Sequence, residues 1–353
     1  MIARWAIVAV LAMAMAACSH ETNKDYAAMN KVPMHTVCVG RVLVDLPEGG
    51  KMDWQQQFDR ATVDRLPSSV NTTSLFWAFV GERKVELERP TKARPQGTLG
   101  IYKKIGDNAV IMQFRDAEIA DLQGYYTERY LWLGNWGYKY KTGGLYDNQA
   151  AELLAQIENN FRKVVPVNNF HLPQEPGFCI DGALVTGKVG PIWSGVSSSI
   201  KGWKNTSVNA GASEDDGTRT KFSWEKVGHP LPIPTPFDDL KMFKSWVNES
   251  KRSGDDDRAV SFEVLRKENR QLAGMQGEEI AVKATLANGQ EWYRFEWNSP
   301  NDTTKSRKPG FAFGLEAGNK DYTPNYVPPP SQDDLFALWD AMLDSLKPRP
   351  GTR

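Results

Sequence analysis

This 353-residue chain has no surplus of positive or negative charge, because it contains 43 basic and 43 acidic residues. Residues 1–17 contain one charged residue, Arg4, so the remainder has 42 basic and 43 acidic residues and a formal net charge of −1. Nucleic acids and anionic lipid surfaces attract proteins that carry a basic surplus. We therefore expect no nucleic-acid partner. The length permits two domains of about 150 residues each.

Groups that could carry catalysis or bind a metal are scarce. None of the four histidines, His20, His35, His171 and His229, has a second histidine at the spacing of a metal site. The chain contains no GxSxG nucleophile elbow, no HExxH motif, and no GxxxxGK followed by serine or threonine. Ser197–Ser199 lie in a Gly- and Ser-rich stretch that indicates a loop. We therefore predict no catalytic residue, no cofactor, no metal site and no enzymatic activity.

Long apolar runs are absent except at the N terminus, where Trp5–Ala17 follow Arg4. This run is shorter than the roughly 20 residues of a membrane-spanning helix, but it fits the apolar region of a secretory signal peptide. Ala16 and Ala17 directly precede Cys18, which is the arrangement of a signal cleaved before a lipidated cysteine. We expect lipidation of Cys18 and a membrane-anchored lipoprotein of the periplasm. The alternative is ordinary signal cleavage with Cys18 incidental.

Cysteine is rare, with three residues in the whole chain. If Cys18 carries a lipid, Cys38 and Cys179 remain. An even pair in an oxidising compartment is a disulfide candidate. Two buried, unpaired cysteines are the alternative, since free cysteine is among the most buried residue types. The sequence leaves both interpretations open.

Prolines and asparagines cluster over residues 165–176, which indicates a linker between two halves. The halves show a weak internal repetition, because one opens with Cys38–Asp45 (CVGRVLVD) and the other with Cys179–Thr186 (CIDGALVT). We predict a signal peptide at 1–17, a tether at 18–33, an N-terminal domain at 34–164, the linker at 165–176, a C-terminal domain at 177–348 and a tail at 349–353.

Each half is predicted to close with an amphipathic helix followed by proline. In the first half Asp147 is a candidate N-cap, and the apolar face consists of Ala150, Leu153, Leu154, Ile157 and Phe161. In the second half Ser331 and Asp334 resemble a capping box, and the apolar face consists of Leu335, Leu338, Trp339, Met342 and Leu346.

Further elements follow from the spacing of apolar residues. The spacing predicts helices over residues 54–66 and 237–250, and alternation predicts strands over residues 74–80, 97–105 and 109–115. The strongest hairpin signal is Asn288-Gly289 between alternating segments at 280–286 and 291–297. The predicted fold class is α+β, with two domains that each hold a mostly antiparallel sheet packed by helices.

Acidic and aromatic clusters are weaker candidates for a binding surface. The acidic runs Glu214–Asp216 and Asp255–Asp257 lack the alternating ligand spacing of a calcium loop. They are interpreted as solvated turns, with an acidic docking surface as the alternative. Aromatic residues are densest over Tyr125–Tyr140. Most are expected to fill cores, and a minority to line a ligand groove or a protein interface.

Two segments and the closing helix resemble a known family. The segments are Cys38–Pro47 (CVGRVLVDLP) and Gly177–Gly182 (GFCIDG), and the helix precedes Pro348. In order and spacing they resemble the Tli4 family, the immunity proteins paired with type VI secretion phospholipase effectors. The resemblance spans nearly the whole chain after the signal. It implies a periplasmic, two-domain α+β protein that clamps a toxic lipase and blocks its substrate entry.

The sequence therefore favours a periplasmic immunity protein that binds a cognate phospholipase effector, as a monomer in a 1:1 complex. The two halves would act as jaws, with residues 165–176 as the hinge. The resemblance transfers no catalytic residue and no effector-interface residue. An envelope lipoprotein that binds a lipid or a glycan is the alternative, as is a structural envelope lipoprotein. A co-purifying lipid or sugar would favour the first of these.

Overall fold

The structure is a computed structural model of the whole chain. It describes residues 32–58, 61–92, 94–115, 124–146, 155, 158–160, 162–167, 175–187, 192–214, 235–253, 259–299, 310–318 and 326–351. The predicted signal peptide, Cys18 and nearly all of the predicted tether lie outside these residues. No helix in the described part of the chain is long and apolar enough to span a membrane.

Strands dominate the described residues. They are β1 (Met34–Val39), β2 (Val42–Pro47), β3 (Met52–Phe58), β4 (Ala61–Arg65), β5 (Leu99–Ile105), β6 (Ala109–Arg115), β7 (Gly124–Leu133), β8 (Trp136–Tyr146), β9 (Val164–Pro166), β10 (Phe178–Ile180), β11 (Ala183–Val185), β12 (Ile192–Ile200), β13 (Trp203–Glu214), β14 (Ala259–Leu272), β15 (Met275–Leu286), β16 (Glu291–Ser299), β17 (Gly310–Gly318) and β18 (Lys347–Pro348). The helices are α1 (Thr73–Glu88), α2 (Pro236–Ser253) and α3 (Gln332–Ser345). The α+β class is confirmed, with antiparallel pairing throughout.

One twelve-stranded antiparallel sheet runs through both halves, in the order β14-β15-β16-β17-β13-β12-β3-β4-β8-β7-β6-β5. The halves meet where β3 pairs with β12, from Phe58 opposite Ile192 to Met52 opposite Ser198. The sequence patterns predict a separate sheet for each half. The structure differs because main-chain hydrogen bonds between β3 and β12 join the two sets of strands into one sheet. Local sequence patterns do not encode such distant pairing.

Two small sheets hold the repeated cysteine-led segments. Each segment begins a hairpin, β1–β2 in the first half and β10–β11 in the second. The sheet orders are β1-β2-β18 and β10-β11-β9. Because β18 pairs with β2, the end of the chain lies beside the first hairpin. Val165 and Pro166 of the predicted linker belong to β9, and residues 168–174 lie outside the described residues.

The main core is shared between the halves. Its buried side chains include Val39 and Phe58 of the first half and Phe178, Phe313 and Trp339 of the second. A second cluster lies between α1 and strands β6 and β7, and a third lies between α2 and strands β15 and β16. The helices therefore cover a sheet whose interior is mostly apolar, which agrees with hydrophobic burial as the main stabilising contribution.

Two predicted elements are wrong. Residues 54–58 and 61–65, within the range predicted as a helix, belong to β3 and β4, because β3 pairs with β12 and β4 pairs with β8. Residues 74–80, predicted as a strand, form the first half of α1. The side chain of Thr72 accepts a hydrogen bond from the amide of Leu75 at 3.2 Å and caps this helix. The helix continues through residues 82–88, which favour a helix. The strand prediction considered only the short apolar run at 74–80.

The remaining predictions that fall on described residues are largely confirmed. Strand β6 has the predicted bounds, β5 begins two residues later than predicted, and the hairpin at Asn288-Gly289 is β15–β16. Helices α2 and α3 occupy the predicted positions, and the Ser331 side chain caps α3 by accepting from the amide of Asp334 at 3.1 Å. Of the closing helix predicted for the first half, residues 155 and 158–160 are helical. Asp147 and most of its apolar face lie outside the described residues.

Candidate functional site

The two cysteine-led hairpins meet at a covalent junction. A disulfide joins Cys38 to Cys179, whose Cα atoms are 5.8 Å apart. Beside it the amide of Gly40 donates to the carbonyl of Cys179 at 3.1 Å, and the amide of Cys179 donates back to Gly40 at 2.7 Å. Gly40 has a φ of +60°, and a Cβ added there would lie 2.3 Å from the Cβ of Ala212. The glycine of the CVGR segment is therefore required for the close packing of the first hairpin against β13.

Arg41, which follows this glycine, links the junction to the large sheet. Its Nε and Nη2 donate to the two carboxylate oxygens of Glu214 at 2.5 and 2.8 Å, which is a bidentate pair. The hydrogen bond to Glu214 raises the pKa of Arg41, although burial opposes it. Glu214, the first residue of one acidic run, is thus engaged inside the protein rather than in a solvated turn. The other residues of both acidic runs lie outside the described residues.

Arg349 completes the junction from the end of the chain. Its Nη1 donates to the carbonyl of Glu175 and its Nη2 to the carbonyl of Gly177, both at 2.6 Å. Its amide donates to the carbonyl of Arg41 at 2.9 Å. Burial lowers the pKa of Arg349 from its ordinary value. The predicted tail at 349–353 therefore begins with a buried residue that binds the GFCIDG segment.

Asp181 links the GFCIDG segment to strands of the first half. Its carboxylate accepts from Arg65 Nη1 at 3.1 Å, and its amide donates to Gln56 Oε1 at 2.8 Å. The hydroxyl of Tyr138 donates to its carbonyl at 2.5 Å, and the Arg65 guanidinium lies 3.3 Å from the centroid of the Trp136 ring. Burial raises the pKa of Asp181, although Arg65 opposes this effect. The segments that carry the family resemblance therefore join the two halves, and their polar groups Arg41 and Asp181 have structural partners.

A buried carboxylate, that of Glu279 on β15, fastens α3 to the sheet. It is fully buried and accepts from Arg266 Nη1 at 2.8 Å, from Trp339 Nε1 at 2.7 Å and from Arg270 Nη1 at 3.3 Å. Arg266 also pairs with Asp340 of α3 through both carboxylate oxygens, at 2.6 and 3.0 Å. The hydrogen bonds and charges of the arginines together lower the pKa of Asp340, although burial, the largest single influence, opposes them.

A second pair of buried carboxyl groups lies between α2 and the sheet. Asp239 of α2 and Glu296 of β16 are both buried, and Arg294 Nε donates to Glu296 Oε1 at 2.6 Å. Burial raises the pKa of both carboxyl groups despite Arg294. The neighbouring Asp239 raises the pKa of Glu296 further.

A pocket of about 270 Å³ opens between the C-terminal end of α1 and the sheet. We call it the basic pocket, because four of its ten lining residues are basic and one is acidic. It is lined by Arg83, Glu86, Leu87, Arg89, Thr91, Thr98, Phe114, Arg115, Tyr126 and Lys141.

A more open groove of about 670 Å³ lies at the turn between β12 and β13, where Trp203, Lys204 and Glu316 contribute to its lining. The serines at 197–199 are near this end of β12. They were predicted to form a loop, which is wrong, since all three lie within the strand. Ser199 accepts from the amide of Lys51 at 3.1 Å, and Ser198 is buried. These contacts give the serines a structural role.

The aromatic-rich segment at 125–140 forms the hairpin β7–β8. Tyr130 and Trp132 are buried beneath α1, and Tyr138 and Tyr140 are buried in the main core on the other face of the sheet. The expectation that most of these rings fill cores is therefore confirmed. Tyr126 is partly exposed and lines the basic pocket.

Metal ligands do not converge in the described part of the chain, where no group of three or more His, Cys, Asp or Glu side chains could hold a metal ion. His35 lies in β1 and is half-buried. His20, His171 and His229 lie outside the described residues.

Comparison with known proteins identifies the fold. A model of the Tle cognate immunity protein 4 C-terminal domain matches residues 171–351, slightly more than half of the chain. This chain belongs to the Tli4 family. The family consists of immunity proteins rather than enzymes, in agreement with the prediction of no enzymatic activity. The comparison with curated proteins found no match.

Solved structures extend the similarity across both halves. The apo structure of the immunity protein TplEi of the type VI secretion system from Pseudomonas aeruginosa aligns with a TM-score of 0.68 and 20% identity, over 92% of this chain and 100% of that one. The Tle4–Tli4 complex aligns with a TM-score of 0.70 and 20% identity, over 90% of this chain and 98% of the other. TplEi with a bound "L" peptide aligns with a TM-score of 0.65 and 20% identity. At this identity the alignments establish a shared fold, which includes the first half of the chain that the family model does not reach.

Proposed function

We propose that this Tli4-family chain binds a cognate Tle effector of the phospholipase class and blocks the entry of lipid substrate to its active site. The observation that carries this proposal is the family match over residues 171–351. The similarity of at least 90% of the chain to TplEi and to the Tle4–Tli4 complex supports it. The simplest assembly is one copy of this chain with one effector.

The joined halves favour a pre-organised binding surface. The β3–β12 pairing and the Cys38–Cys179 disulfide connect the halves by main-chain and covalent bonds. A rigid surface loses less conformational entropy on binding than one that must first be ordered. We therefore propose that the chain holds the effector without a hinge motion at residues 165–176.

The experiment that tests the inhibitory role uses the effector encoded beside this protein. Its phospholipase activity on phospholipid vesicles is measured while the purified chain is added in increasing amounts. We expect activity to fall to the background at one equivalent. Full activity in the presence of excess chain would overturn the proposal and favour an envelope protein that binds a lipid or a glycan.

The place of action is proposed to be the periplasm, with the chain anchored through a lipid on Cys18. The support is the apolar run that ends in Ala16-Ala17 before this cysteine. We expect Cys18→Ser to move the protein from the membrane fraction to the soluble fraction. The neighbouring change His20→Ala keeps the cysteine and serves as the control. Unchanged membrane fractionation of Cys18→Ser would contradict the anchor.

A further inference from the structure

The basic pocket contains two exposed cations, Arg89 and Lys141. No carboxylate in the described part of the chain forms an ion pair with either. Both lie at the mouth of a concave surface rather than on an open face. This combination distinguishes them from the many surface lysines and arginines that project into solvent.

Neighbouring carboxylates are already engaged. Glu128 lies opposite Lys141 in the β7–β8 pairing, yet its two oxygens accept from Arg83 Nε and Nη2, both at 2.9 Å. The hydroxyl of Tyr130 also donates to Glu128, at 2.8 Å. Glu86 pairs with Arg83 Nη1 at 2.8 Å. Glu128 and Glu86 therefore both pair with Arg83, and neither forms an ion pair with Arg89 or Lys141. The four cations that line the pocket still outnumber these two carboxylates.

The position of Arg83 is firmly determined. Burial lowers its pKa, but the hydrogen bonds and charges of Glu128 and Glu86 outweigh this effect and leave the pKa above its ordinary value. The guanidinium also lies 5.1 Å from the centroid of the Phe114 ring. Arg83 thus forms a charged, fixed wall of the pocket, whose shape does not depend on a ligand.

Aromatic rings form another part of the pocket. Phe114 and Tyr126 stack with their ring centroids 5.7 Å apart. The Lys141 ammonium lies 5.8 Å from the Tyr126 centroid, within cation–π distance. Aromatic rings beside arginine are typical of protein-binding hot spots.

The pocket therefore combines cations with aromatic rings. A complementary partner would present a carboxylate side chain.

We propose that the basic pocket is an effector-docking surface, in which Arg89 and Lys141 bind an acidic side chain of the effector. This inference rests on the proposed function, because it takes the cognate effector as the partner. Charge complementarity favours an acidic protein surface. It assigns the first half of the chain, outside the matched C-terminal family domain, a direct part in binding.

The test compares effector binding by the wild-type chain with binding by Arg89→Glu, Lys141→Glu and the double variant. We expect each single change to weaken affinity by roughly tenfold and the double change to weaken it further, since like charges would then meet across the interface. Lys141→Arg should retain binding. Lys347→Glu on β18 is the matched control, because it alters net charge equally at an exposed lysine outside the pocket. Thermal unfolding of all variants verifies that they are folded.

Salt dependence supplies a second measurement. Raising sodium chloride from about 50 mM to about 500 mM should weaken the wild-type complex more than the complex of the double variant, since screening acts on the charges that the variant lacks. Equal affinities for wild type and double variant overturn the docking surface alone. Absence of binding by the wild type overturns the proposed function and the docking surface together. Binding of the wild type to anionic phospholipid vesicles, lost in the double variant while effector binding persists, would assign the pocket to a membrane and overturn this proposal.

Discussion

The Cys38–Cys179 disulfide joins residues that are 141 positions apart, so its removal tests how strongly the two halves depend on a covalent link. We choose the double change Cys38→Ala with Cys179→Ala, which leaves no free thiol. In the chain-entropy account, closing a loop of this length lowers the free energy of the folded state relative to the unfolded state by about 5 kcal/mol. Measured values for native disulfides are commonly about 2–5 kcal/mol.

The structure indicates that most of this effect arises in the unfolded chain. The reciprocal hydrogen bonds between Gly40 and Cys179 and the Arg41–Glu214 pair remain when the sulfur atoms are removed. These contacts hold the hairpins together in the native state, so the folded geometry should persist. We therefore expect a loss of about 3–5 kcal/mol in the free energy of unfolding, with the fold retained.

Urea unfolding followed by tryptophan fluorescence measures this loss. The oxidised wild type, the reduced wild type and the double variant are compared, and the reductant should leave the double variant unchanged. The reduced wild type and the variant should share one midpoint, below that of the oxidised protein. A common midpoint for all three samples, or two titratable thiols in the native wild-type protein at positions 38 and 179, would refute the reasoning.

Three further predictions concern stability. Glu279→Ala should lower the free energy of unfolding by about 3 kcal/mol because it leaves buried donors without their acceptor. Asp344→Ala, at an exposed ion pair, should lower it by less than about 1 kcal/mol. Equal losses of unfolding free energy in urea would contradict this prediction. Gly40→Ala should lower the melting temperature more than Gly274→Ala. Both glycines have positive φ, but an added Cβ has open space only at Gly274. The reverse order of melting temperatures would contradict the close contact between Gly40 and Ala212. The raised pKa of Glu296 makes the folded state bind more protons than the unfolded state between pH about 4.3 and the higher folded pKa. Unfolding free energy should therefore rise as pH falls through this interval, and Glu296→Gln should reduce that dependence; an unchanged pH profile would exclude Glu296 as its source.

Local sequence signals correctly predicted the helices and hairpins whose ends are determined by a cap or a turn within the same short segment. The Ser331 cap and the apolar spacing after it are sufficient for α3, because the cap and the helix lie within one short segment. Asn288-Gly289 likewise determines the β15–β16 hairpin, where Gly289 has a φ of +82°. Each signal acts over a few residues and does not depend on a distant partner.

Prediction failed where distant strands decide the conformation. Trp54, Phe58 and Ala61 have spacing compatible with a helix, but the pairing of β3 with β12 and with β4 gives them an extended backbone. Residues 74–80 show the opposite error. Their apolar and aromatic residues have the pattern of a strand, but the Thr72 cap and the packing of Phe76 and Val80 on the sheet make them a helix. Intrinsic preferences are weak compared with tertiary packing.

The basic pocket shows why a binding surface escaped the sequence analysis. Arg83 belongs to α1 and Arg89 directly follows it, whereas Phe114, Tyr126 and Lys141 come from three different strands. No spacing rule connects them, and the chain has no overall basic surplus that would have indicated such a patch. The pairing of Glu128 with Arg83 rather than with the neighbouring Lys141 is visible only in three dimensions.

By itself the sequence determined the resemblance to the Tli4 family, the scarcity of catalytic groups and the elements with local caps and turns, since each depends on residue identity at short range. The lipid anchor at Cys18 stays a prediction from the sequence. The tertiary structure alone decided that the halves share one sheet, that Cys38 lies against Cys179, and that Arg89 and Lys141 line one pocket. These features depend on contacts between residues far apart in the chain, whose formation is driven by the burial of the common core.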